Sequence, residues 1–139
     1  MSKLRVELER VGAAAFAARA GSGGEVVIDG APEIGGEGRG MRPMELLLTA
    51  LASCAAMDVV HIMNRQRQPL ASLAIEVEGT RREATPAPFS AIHLRFVAHG
   101  DVDPKKLERA VRLGVERYCS VGASLDSDVT VTWEAHLAP

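Results

Sequence analysis

The stretch RPMELLLTALASCAAMDVVHIMNRQR, residues 42–67, decides the fold. It contains no glycine, and its one proline, Pro43, stands near its start. Proline suits the first helical position, because the N–H it lacks has no intrahelical partner there. From Leu46 to Met63 the run is apolar on nearly every face, interrupted by Thr49, Ser53, Asp58 and His61. A helix apolar all round is a buried one. A membrane span needs about 20 apolar residues with few charges, so Asp58 and His61 point to a core helix instead. The spacing predicts a long central helix over 42–67, ending before Pro69.

Upstream of this helix the pattern has period two. Leu4, Val6 and Leu8 alternate with Arg5, Glu7 and Glu9, as in a half-buried strand. A weaker strand over 14–19 and a third over 25–28 follow, separated by the turn Gly21–Gly24, so residues 1–30 read as a β-meander. The loop 31–42 is rich in glycine. Downstream, Leu73, Ile75 and Val77, then Ile92, Leu94 and Phe96, mark two further strands. Asp103-Pro104 is a cap followed by proline. It opens an amphipathic helix over 103–118, with Leu107, Ala110, Val111, Gly114, Val115 and Tyr118 at helical spacing. A closing strand over 128–138 carries Val129, Val131 and Trp133. The expectation is an α+β protein of order βββ-α-ββ-α-β. It is one domain over 1–139, with antiparallel sheets around a long buried central helix. That helix is more apolar than one chain of this size easily covers, which implies an intertwined dimer.

Composition narrows the function. The chain has 139 residues, enough to bury a core without a disulfide framework. A net charge of −2 and scattered Lys and Arg give no basic stripe, so neither nucleic acid nor an anionic membrane is an expected partner. No apolar leader follows Met1, and a cytoplasmic location is expected. The two cysteines lie far apart, with no Cys-x-x-Cys pair or His/Cys cluster. A structural disulfide, a metal and a cofactor are therefore not expected.

Chemistry would fall to few groups. Cys54, inside the apolar helix, is either a small buried hydrophobe or a nucleophile activated by another segment. Cys119 stands where one helix ends and a short turn of small residues begins, Ser120-Val121-Gly122-Ala123. It is either a packing residue at the junction or a thiol favoured by helix N-terminal amides. Asp58 and His61 suit an ion pair or an interface. Glu45 suits the helix dipole as a capping carboxylate. Arg39 and Arg42 flank the glycine-rich loop and are candidate charge partners for a thiol, as is Arg19.

Two segments carry a resemblance. The run from Arg42-Pro43 to Ser53-Cys54 resembles the first cysteine motif of the OsmC/Ohr family, in which a proline-led motif opens a long central helix. Tyr118-Cys119-Ser120-Val121-Gly122-Ala123-Ser124-Leu125 resembles the second. Both motifs, in this order and with these elements around them, cover essentially the whole chain. The resemblance implies a thiol-dependent peroxidase acting on organic hydroperoxides, with Cys54 the peroxidatic thiol and Cys119 the resolving one. It also implies a homodimer with sites at its interface and a dithiol reductant such as a lipoyl protein. Peroxidase members place a Glu directly after the motif proline; here that place holds Met44, and Glu45 follows, about 100° further round the helix. The alternative is a non-catalytic protein of the same fold that binds a small apolar or electrophilic ligand at the dimer interface.

Overall fold

The computed structural model describes residues 2–139 and divides them into two compact units, the first ending at Leu47 and the second running Leu48–Pro139. In the first unit, β1 (Val6–Arg10), β2 (Phe16–Ala20) and β3 (Glu25–Ile28) form an antiparallel meander in the order β1-β2-β3. The alternation in β1 finds no cover among the described residues. Leu4, Val6 and Leu8, expected to be half-buried, are 96%, 55% and 59% exposed. Period two sets which side chains share a face; it does not supply the surface they pack against.

The glycine-rich loop that follows is organised by Asp29. This buried carboxylate accepts backbone N–H groups from Gly30 at 2.8 Å, Glu37 at 3.0 Å and Arg39 at 3.1 Å. Those amides, Glu37 and Arg39 foremost, hold its pKa below the ordinary carboxylate value. The sequence marked Asp29 only as the end of a strand.

Helix α1 spans Pro43–Arg65, two residues shorter at its C-terminus than expected. Glu45 Oε1 accepts the Arg42 N–H at 2.9 Å, the returning half of a capping box. At the other end Arg67 takes a left-handed φ of 56°, and the Gln68 N–H closes back on Met63 O. The helix is long and apolar enough to cross a membrane by length and composition alone. The expected burial on all sides is not met within one chain. Leu51, Ala52, Ala55, Val59 and Met63 are buried, whereas Met57 is 70% and Val60 41% exposed.

The second unit rests on two 12-residue strands, β4 (Leu70–Arg81) and β5 (Phe89–Gly100), longer than their apolar cores suggested. Their antiparallel register pairs Ile75 with Phe96 and Val77 with Leu94. Phe89, Ile92, Leu94, Phe96 and Ala98 bury one face of β5, with a register shift near Arg81. Gly79 admits the Phe89 ring, since a Cβ there would lie 2.5 Å from Phe89 Cε1. Helix α2 (Pro104–Leu113) is capped by Asp103, whose side chain accepts the Lys105 N–H at 2.9 Å, and buries Leu107, Ala110 and Val111. It carries the chain across to β6 (Thr130–Leu137), which joins β5 in parallel. The antiparallel expectation therefore holds for three strand pairs and is corrected at the fourth. A helical crossover returns a strand in the same direction, as a hairpin cannot.

The second helix is also corrected at its end. The α-helical part stops at Leu113, and Gly114–Tyr118 continues as a wider π turn before the single turn α3 (Ser120–Ala123). The Glu116 carboxylate accepts the Trp133 indole N–H at 3.3 Å, tying this turn to β6.

Candidate functional site

The two cysteines, far apart in sequence, meet in the second unit. Cys119 caps α3: its sulfur accepts the Gly122 N–H at 3.2 Å, while its S–H points at Leu51 O, 3.9 Å away and one turn before Cys54 on α1. Cys119 is buried and Cys54 half-buried; both are free thiols. Burial is the main cause that pushes the Cys119 pKa up. The Gly122 N–H opposes it, and a hydrogen bond and charge from the Cys54 side chain raise it further. Cys119 is thus a neutral thiol at pH 7, and Cys54 is near enough to influence it.

Gly114 sets this approach. A Cβ at that position would lie 2.9 Å from Ala55 O and 3.2 Å from Val59 Cγ2. The start of the π turn therefore lies directly on the α1 backbone, one residue past Cys54. Sequence reading placed Gly114 merely on an apolar face. A glycine between apolar neighbours inside a helical pattern was the available signal. π turns inside helices concentrate at functional sites.

The supporting residues named from sequence are engaged locally. Arg39 Nη1 donates to Val11 O at 2.6 Å. The Arg42 backbone is bound by Glu45. Arg19 pairs with Glu25 at 2.8 Å across the meander. Asp58 and His61 line a cleft between α1 and α2.

The fold and this thiol pair define a class: α+β proteins that hold a cysteine of a long central helix against a cysteine at the cap of a following short turn. The OsmC-like protein family model matches residues 36–134, and the chain belongs to that family. Protein YhfA of Escherichia coli K12 is 34% identical over 118 residues, covering 84% of this chain and 85% of its own. A hypothetical protein of Aquifex aeolicus VF5 superposes with a TM-score of 0.82 at 36% identity, each chain covered in full. The organic hydroperoxide resistance protein OhrB of Bacillus subtilis shares the fold with a TM-score of 0.62 at 19% identity, over 96% of this chain and 98% of that one.

Proposed function

We propose that the protein is a cytoplasmic thiol peroxidase that reduces organic hydroperoxides. The observation that carries this reading is the approach of two free thiols: the Cys119 S–H is directed at Leu51 O, one turn before Cys54 on α1, and the Cys54 side chain helps raise the Cys119 pKa. Cys54 thiolate attacks the terminal peroxide oxygen; with one proton taken up, the alcohol leaves and Cys54 becomes a sulfenic acid. The Cys119 thiol displaces that hydroxyl as water and forms a Cys54–Cys119 disulfide. A dithiol reductant, such as a lipoyl protein, gives two electrons and two protons to restore both thiols and is itself left as a disulfide. The neutral Cys119 suits the resolving role, since it does not compete for peroxide as a standing thiolate.

The active form in this proposal is a homodimer. A second copy would cover the exposed apolar groups of β1 and of α1, Met57 and Val60 among them. Sedimentation at micromolar concentration checks this, a monomer mass being the refuting result.

One equivalent of cumene hydroperoxide added to reduced protein tests the chemistry. Mass spectrometry should find a single Cys54–Cys119 disulfide. Cys119→Ser should stop at the sulfenic acid, and Cys54→Ser should consume no peroxide. A Cys54→Ser protein as active as the wild type rules the mechanism out. The local engagement of Arg39 and Glu45 favours a second reading, a binding protein for a small apolar or electrophilic ligand at the dimer interface. It predicts two inert thiols in the same measurement.

A further inference from the structure

A cleft of about 620 Å³ runs between the second half of α1 and the α2–π-turn segment. Its volume lies in the ordinary range for small-molecule sites, roughly 300–1,000 Å³. Arg65 and Arg109 line it from the two helices, and neither forms an ion pair or side-chain hydrogen bond among the described residues. Ile62 and Leu113, both half-buried, supply apolar wall, and the half-exposed Tyr118 adds a ring. Asp58 stands two turns before Arg65, about 10 Å along the helix axis. It too has no partner among the described residues.

We propose that this cleft binds small aromatic monocarboxylates. The two uncommitted guanidiniums take the carboxylate: their planar donor forks match its two oxygens, and an unpaired Arg at a cleft wall retains that capacity in full. The ring of the ligand lies on Ile62, Leu113 and Tyr118, where aromatic faces pair in offset or edge-on geometry. Asp58 repels a second negative charge at the far end, which restricts the site to monoanions. Round α1, Arg65, Asp58 and Ile62 stand about 80°, 100° and 140° from Met57, and 140–160° from Val60. Neither thiol lines the cleft, and binding there does not require the proposed peroxide chemistry.

Titration calorimetry on the full chain at low salt tests this, with 2-naphthoate, the isosteric 2-naphthamide and inorganic phosphate as probes. The expected result is a naphthoate Kd below ~1 mM. Arg65→Gln and Arg109→Gln should each weaken it by about tenfold. Naphthamide should bind at least ~10-fold more weakly than naphthoate, since it lacks the charge, and phosphate likewise, since it lacks the ring. Asp58→Asn should tighten naphthoate two- to threefold, roughly the size of a screened charge at ~10 Å. Cys54→Ser should bind as the wild type does, whatever happens to its peroxide turnover. Far-UV circular dichroism of the variants checks that these substitutions leave the fold intact. No naphthoate binding at several millimolar overturns the proposal, as do an unchanged Kd in both arginine variants, naphthamide binding as tightly as naphthoate, or phosphate binding as tightly.

Discussion

Replacing Gly114 by alanine should loosen the thiol pair without touching either thiol. The backbone there is helical, with φ −61° and ψ −43°, so alanine meets no conformational penalty. It gains about 1 kcal/mol of helix propensity over glycine. The added Cβ, however, would sit 2.9 Å from Ala55 O. A carbon–oxygen contact relaxes at roughly 3.3 Å or beyond, so the π turn must retreat by about 0.4 Å or more. The obstacle is backbone, so no rotamer change relieves it. Overpacking of this kind costs about 1–3 kcal/mol, which leaves a net loss of roughly 0–2 kcal/mol. That corresponds to a melting temperature lower by up to about 8 °C for a chain of this size. The effect on chemistry is larger than on stability. A displacement near 1 Å at reacting atoms costs about a hundredfold, so closure of the Cys54–Cys119 disulfide should slow by roughly tenfold. Rapid-quench mass spectrometry after one equivalent of hydroperoxide separates the two steps: loss of peroxide keeps its wild-type rate, while disulfide formation lags and sulfenic acid accumulates. A Gly114→Ala protein that melts above the wild type and closes its disulfide at the same rate would refute the close-approach argument.

Other outcomes follow from the same structure. The Glu134 carboxyl accepts hydrogen bonds from His136 at 2.6 Å and His93 at 2.7 Å, and these, His136 first, hold its pKa below the usual value. A depressed folded pKa adds stability above the unfolded value and loses it as pH falls through the folded one. Urea midpoints between pH ~6 and ~3 should therefore fall less steeply in Glu134→Gln than in the wild type, across and below the ordinary glutamate range. Phe96→Ala, at a fully buried site on β5, should cost about 3–5 kcal/mol in urea denaturation, with the slope unchanged. Native alkylation of reduced protein should label Cys54 well before Cys119, because Cys119 is only 4% exposed and its pKa is raised. Equal labelling in a time course read by peptide mapping would show that α3 opens freely.

What the sequence determined by itself was local or periodic. The proline at position 43, the uninterrupted run behind it and the cap at Asp103 set both helices, because capping and apolar spacing act within a few residues. The alternation of Ile92, Leu94 and Phe96 identified the core face of β5 for the same reason. Two cysteine motifs in a fixed order identified the family. Tertiary structure alone decided which thiol is buried, that β6 runs parallel to β5, and that Glu45, Arg39 and Arg19 are engaged with near neighbours. It also turned Gly114 from one more small residue into the contact that sets the approach of Cys119 to Cys54. Each of these depends on which surface arrives opposite a residue, a pairing between distant segments that no local pattern contains. The exposed faces of β1 and α1 belong with them. Their apolar pattern is written in the chain, and the surface that would cover it is not found among the described residues.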